Sequence, residues 1–258
     1  MKKSAVGPPA KKGHNVKTIT LDVETVLDEE AAERCHYRKN PDEFAPWILH
    51  KPVCVSMLTV ERTDWDRVAF SIHSVTRGDA SERGMIDEVE QYLSDADQII
   101  TFNGHGFDAP VLRARAAVNE IEAPTILQMG LRSRLNFHLD LLDVVTSSGS
   151  APRIKLAELC APFRIPVKLQ AGGDGVADLA AVNDWQGIRH YCQTDVVSTW
   201  IASQMWLSAK DAEFGRTRWS MLADWVLEEQ PRLAHLLPYV SLPSARRLGP
   251  WDDMDIRL

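Results

Sequence analysis

The stretch Lys17–Val26, KTITLDVETV, most narrowly limits what this chain can fold into. Ile19, Leu21 and Val23 alternate with Thr18, Thr20, Asp22 and Glu24, the two-residue period of a strand whose faces meet different surroundings. Asp22 and Glu24 then share one face. Neighbouring carboxylates repel each other unless a cation lies between them. The strand therefore belongs to a sheet with an apolar layer on one side and either a metal-binding cavity or open solvent on the other.

The segments that follow supply partners for it. Residues 27–47 are charged, are broken by Pro41 and Pro46, and read as a helix or a long excursion. VCVSMLTV (53–60) and RVAFSIHSV (67–75) are two strands joined by the polar ERTDWD, a hairpin with antiparallel pairing. Met85, Ile86, Val89 and Leu93 make one face of a helix over 81–94 with Ser81 as its cap. DQIITF (97–102) is a short apolar strand of the kind buried on both faces. A turn containing glycine leads to a helix over 108–118, NFHLDLLDVV (136–145) reads as strand then helix, and 153–162, 183–208 and 219–237 read as helices. Lys168–Gly175 reads as a flexible glycine-rich loop, and the residues after Pro238 as a tail. This order implies an α/β fold, a mixed sheet flanked by helices. The expected division is a disordered basic tail over 1–16, a main domain over 17–208, and a C-terminal helix with its tail over 209–258.

Three short clusters carry chemistry. Asp22 and Glu24 form the first. Asn103-Gly-His-Gly-Phe107-Asp108 joins a buried strand to a helix, where Asp108 could serve merely as a helix cap. Tyr191 and Asp195, spaced i, i+4, share a helix face beside the stripe Ile188, Cys192, Val196 and Trp200. Taken singly, each cluster has an ordinary structural explanation. If they meet at one end of the sheet, Asp22, Glu24, Asp108 and Asp195 enclose a strongly negative pocket suited to Mg²⁺ or Mn²⁺. Two such ions, about 3.5–4 Å apart, clamp the attacking and leaving oxygens of a phosphoryl displacement. Asp140, Asp143, Asp174 and Asp178 read as caps and turns, and most of the tryptophans as core.

Composition sets limits. A net charge of −7 argues against bulk coating of duplex nucleic acid. Arg113, Arg115, Arg132, Arg134, Arg153, Lys155, Arg164 and Lys168 follow the second cluster and are candidates for lining a local phosphate groove. No apolar run is long enough to span a bilayer, so no membrane role is expected. Cys35, Cys54, Cys160 and Cys192 are scattered without a C-x-x-C, which implies free thiols in a reducing, cytoplasmic setting. KLQAGGDG lacks the phosphate-cradling G-x-x-x-x-G-K-[ST] pattern.

The ordered set D-x-E-T, N-x-x-x-F-D and Y-x-x-x-D resembles the three exonuclease motifs of the DEDD superfamily, tyrosine branch. LDVET, ITFNGHGFDAPVLRARA, HLDLLDVV, IKLAELCAPFRIPVK and IRHYCQTDVVSTW are similar to stand-alone predicted 3′–5′ exonucleases related to the proofreading domain of family B DNA polymerases. The likeness runs from about Lys17 to about Leu207. It implies an RNase H-like fold with a mixed five-stranded sheet, here extended by a C-terminal helix. It also implies two divalent cations. Asp22, Glu24 and Asp195 would hold the first, Asp22 would bridge to the second, and Asp108 would hold the second mainly through water. Tyr191 would orient the attacking water. Thr25 and Asn103 match positions that hold the terminal nucleotide, and Phe107 packs either on its base or into the core. The implied substrate is single-stranded DNA, with RNA processing or nucleic-acid binding without turnover as the competing readings.

Overall fold

The computed structural model describes residues 16–38, 43–64, 67–131, 137–167, 174–211 and 213–242. Five strands form one sheet: β1 (Val16–Leu27), β2 (His50–Asp64), β3 (Arg67–Thr76), β4 (Gln98–Thr101) and β5 (His138–Asp140). Their spatial order is β3-β2-β1-β4-β5. β1 pairs antiparallel with β2, and β2 with β3, as the alternation and the short polar link suggested. β4 and β5 run parallel to β1, entering through helical crossovers. The sheet is therefore mixed, and β1 lies at its centre.

The alternation of β1 divides the core. Ile19, Leu21 and Val23 pack with Val55 and Met57 against Met85, Ile86, Val89 and Leu93 of α2 (Glu82–Leu93) and against Ala109, Leu112 and Ala116 of α3 (Asp108–Val118). On the opposite side, Leu58, Val60 and Ile72 meet α6 (Leu156–Phe163), α8 (Trp185–Leu207) and α9 (Phe214–Glu228), with Trp200 and Trp219 fully buried between them. Ser81 caps α2 by accepting from the Gly84 amide.

Several boundaries differ from the sequence expectation. The helix expected over 219–237 runs instead from Phe214 to Glu228 and stops before Pro231, whose ring cannot continue it. The chain past Pro238 is not a tail as far as Leu242. A 3₁₀ segment, Ala234–Val240, seats Tyr239 in the core, where its hydroxyl bonds Ser198 at 2.7 Å and the Thr194 carbonyl at 3.0 Å. The glycine-rich loop ends early, because α7 (Asp174–Ala181) begins inside it; residues 168–173 lie outside the described residues. A short helix, α4 (Pro124–Met129), was unforeseen; the Glu90 carboxylate caps it by accepting from Thr125 N (2.8 Å) and Ile126 N (2.9 Å). Between β1 and β2 the described chain forms α1 (Glu29–Arg34) and a 3₁₀ turn, Trp47–Leu49. Trp206 is exposed rather than core. The expected basic tail lies outside the described residues except for Val16. No described helix is long and apolar enough to cross a membrane.

Candidate active site

Parallel β1 and β4 end at the same edge of the sheet. β4 stops one residue past the Thr20↔Ile100 pair, so its chain turns off beside Asp22. Asp22 and Glu24 project from the β1 face opposite Leu21 and Val23. Just beyond them the β1–β2 register slips by one, from Glu24↔Cys54 to Thr25↔Pro52. A bulge at such a place re-aims the side chains next to it. α8 crosses this face, and the buried set Val53, Cys54, Ile188, Tyr191 and Cys192 joins it to β2.

The turn after β4 needs unusual backbone. Asn103 has φ 65°, a conformation Asn tolerates better than most residues. A Cβ on Gly104 would collide with the Thr101 side chain. Amides of the turn and of the first helical residues fold back onto it, with Phe107 N bonding Asn103 O (3.0 Å) and Ala109 N bonding Gly104 O (2.9 Å). Asp108 becomes the first residue of α3 and is buried; Phe107, not Asp108, occupies the cap position.

The electrostatics report which groups meet. Asp22 has its pKa pushed up to about 6, chiefly by burial, against hydrogen bonds from Cys192 and Glu24 and from the Val23 amide. Glu24 is held well above its ordinary value by burial and by the charges of Asp22 and Asp195. Asp108 is raised likewise by burial and by Asp22, with a lesser push from Asp140. The Tyr191 phenol is pushed upward by burial and by Asp195, Glu24 and Asp22. Strand, turn and late helix thus bring Asp22, Glu24, Asp108, Tyr191 and Asp195 together in one neighbourhood. Carboxylates crowded this way retain protons unless positive charge joins them. The Cys192 thiol lies 3.4 Å from both Asp22 O and Asp22 Oδ2, and burial holds it well above its ordinary value. Oxygens of Asp22 and Glu24 and the Cys192 sulfur lie within 4.8 Å of one another, close enough to surround an ion. A neutral thiol is a hydrogen-bond donor here, so the donors left for a cation are carboxylate oxygens, the set preferred by Mg²⁺ or Mn²⁺.

The other expected residues lie at the rim. Thr25 Oγ1 bonds His50 Nδ1 at 2.8 Å. Asn103 receives Arg153 on its side-chain oxygen. Phe107 meets His50 and Phe44 edge-on, at 5.5 and 5.4 Å between ring centroids, and Phe44 stacks on His50 at 4.5 Å. Phe44 is 73% exposed, so this three-ring group opens to solvent beside Thr25. The sequence reading missed Phe44 and His50, which belong to an excursion without periodicity. It missed Cys192 because that residue fits the apolar stripe of α8. It erred on Arg115, which cannot line a groove: it is buried between Asp28 (2.7 Å) and Glu82 (2.9 Å). Arg132, Arg134 and Lys168 lie outside the described residues.

A mixed sheet ordered β3-β2-β1-β4-β5, with acids gathered at the end of its central strand, defines an RNase H-like α/β fold. Residues 42–221 match the family of predicted 3′–5′ exonucleases related to the exonuclease domain of PolB, and the chain belongs to that family. Among solved structures it is similar to the family B DNA polymerase of the hyperthermophilic archaeon Pyrobaculum calidifontis. That match has a TM-score of 0.51 and 18% identity over 93% of this chain and 28% of the polymerase. A looser likeness joins it to E. coli exonuclease I in complex with a dA13 oligonucleotide, with a TM-score of 0.43 and 14% identity over 83% of this chain and 43% of that one. The chain thus spans less than half the length of either protein. No curated protein sequence matches it.

Proposed function

We propose that the protein is a metal-dependent 3′–5′ exonuclease that hydrolyses the terminal phosphodiester of single-stranded DNA and releases nucleoside 5′-monophosphates by a two-metal mechanism. The observation that carries this reading is the meeting of four carboxylates and a phenol, with Glu24 and Asp108 driven toward their protonated forms by burial first and then by the charge of Asp22. Asp22, Glu24 and Asp195 would hold one divalent cation, and Asp22 with Asp108 the second. Bound there, the cations would lower the pKa of the attacking water and neutralise charge developing on the phosphate.

The remaining work falls to the chain. With its pKa raised by burial and by the nearby carboxylates, Tyr191 holds its phenolic proton at neutral pH in the metal-free site and would orient the attacking water through a hydrogen bond. The Cys192 thiol fixes the Asp22 carboxylate from behind. Phe107 and the exposed ring of Phe44 offer a stacking surface for an unpaired terminal base, a contact available in a single strand. Thr25 and Asn103 border that surface. Four free cysteines suit a reducing, cytoplasmic environment.

The test is digestion of matched single-stranded DNA and RNA labelled at either end, with Mg²⁺ or Mn²⁺. Shortening of the 5′-labelled DNA as a ladder, with mononucleotide released at once from 3′-labelled DNA, is the expected result. Equal or faster digestion of RNA would move the substrate to RNA. Binding without cleavage in both metals would leave a nucleic-acid-binding module.

A further inference from the structure

The turn that presents Asp108 is held from outside the three motifs. Asp140, at the end of β5, is buried, and its carboxylate accepts three backbone amides. Oδ1 takes Asn103 N (2.8 Å) and Leu142 N (3.0 Å), and Oδ2 takes His105 N (2.9 Å). One acid thus caps α5 (Leu141–Val145) and fastens the left-handed corner of the turn. Asp143, one helical turn further on, holds the His105 ring, whose Nδ1 lies 2.8 Å from its Oδ2. That ring also rests against His138, 4.4 Å between centroids, and His138 is itself fixed by Thr101 Oγ1 (2.8 Å) and the Met129 carbonyl (2.7 Å). The turn has two tethers to the β5–α5 corner, and its carbonyls receive the first amides of α3.

We infer that Asp140, supported by Asp143, is a positioning residue: it sets where Asp108 stands relative to Asp22 and thereby the affinity for the second cation. This inference rests on the nuclease reading above for its consequence, although its basis is the hydrogen bonding. Carboxylates that orient a ligand's carrier commonly matter to metal affinity nearly as much as the ligand. His105, Asp140 and Asp143 stand close enough together to surround an ion of their own. The donor pattern opposes that use. Three amides already converge on Asp140, and the imidazole nitrogen facing Asp143 carries the proton of their bond.

Asp140→Asn and Asp143→Asn, made in the full chain, decide the matter. Bound Mn²⁺ is counted by electron paramagnetic resonance, melting is followed by fluorescence, and single-strand cleavage is measured against Mn²⁺ concentration. Both variants should bind the weaker Mn²⁺ less well, by roughly 10–100-fold for Asp140→Asn and by less for Asp143→Asn, which holds the turn through one bond. Cleavage should recover at high Mn²⁺. Wild-type Mn²⁺ affinity in folded Asp140→Asn overturns the proposal. If Asp140→Asn does not fold, wild-type affinity in Asp143→Asn overturns it. A third Mn²⁺ in the wild type, lost in either variant, also overturns it and makes the cluster a metal site. Weakened Mn²⁺ binding in the variants of a protein that cleaves nothing would sink the nuclease reading and leave the positioning role standing.

Discussion

Replacing Asp22 by Asn should stabilise the protein when no metal is present, although the residue lies at the centre of the site. Ionising a carboxyl whose pKa stands at about 6 instead of 3.8 costs the native state about 3 kcal/mol at pH 7. A raised pKa means that the native protein holds the proton more tightly than the unfolded chain does. The penalty is therefore nearly absent below about pH 4, grows as pH rises to about 6, and is constant above that. Asparagine keeps a carbonyl oxygen for Cys192 and the Val23 amide but cannot ionise. It also relieves Glu24 and Asp108, both raised in part by the charge of Asp22. In EDTA at pH 7.5 the variant should melt about 6–12 °C above the wild type. At pH 4 the advantage should shrink to under about 1 kcal/mol. Saturating Mn²⁺ should reverse the order, because binding stabilises only the chain that can hold the ions. Scanning calorimetry at two pH values, with EDTA or Mn²⁺, reads all four cases. A variant that melts no higher than the wild type in EDTA at pH 7.5, or gains as much at pH 4, would refute the reasoning.

Asp195→Ala should cut the rate of single-strand cleavage at least about a hundredfold, the scale of deleting one transition-state stabiliser. Oligonucleotide binding measured in Ca²⁺ should remain, which separates lost chemistry from lost fold. Phe44→Ala should raise KM for single-stranded DNA by roughly 5–150-fold with little change in kcat, about 1–3 kcal/mol per stacked base being typical; Phe44→Trp should restore it. Arg115→Met should destabilise the protein by about 3–5 kcal/mol in urea unfolding, because it leaves buried Asp28 and half-buried Glu82 without their counter-charge. Burial alone would raise Asp28, but the bonds from Arg115 and the Ala31 amide, with the positive charges of Arg115 and Lys51, together outweigh it and lower its pKa, so the deficit should lessen as pH falls through the carboxylate range.

The sheet and the grouping of the candidate site were legible wherever periodicity and chemistry coincided. β1 was readable because apolar and charged residues alternate without a break, and α8 because Ile188, Cys192, Val196 and Trp200 repeat at helical spacing. Neighbouring turn residues set Asn103–Asp108 between a strand and a helix. What stayed hidden depends on contacts distant in sequence. α4 has six residues, too few to show a period, and exists because Glu90, 35 positions away, caps it. Tyr239 looked like tail because the hydroxyl of Ser198, 41 positions away, is what anchors it. Arg115 resembled a surface cation because nothing nearby in sequence announces Asp28, 87 positions back. The family match begins at residue 42, beyond Asp22 and Glu24, so the first cluster rests on the strand pattern and on its place in the sheet.

The treatment of acids wholly or partly withdrawn from water separates frame from site. Asp28 and Glu82 are answered by Arg115, Glu90 by two amides of α4, and Asp140 by three amides of two elements. Each of these acids joins separate parts of the chain, and each has donors matched to its charge. Asp22, Glu24 and Asp108 do the opposite: burial, and for the last two the charge of Asp22, drives them toward protonation. A fold able to place an arginine between Asp28 and Glu82 could neutralise these as well. Leaving them crowded lowers stability in the metal-free state, and that loss has a use only if something positively charged arrives. The crowding therefore predicts cation affinity without reference to any relative. It also predicts that the metal-free protein is destabilised locally at the junction of β1, the Asn103 turn and α8. Amide hydrogen exchange there should be faster in EDTA than in Mn²⁺.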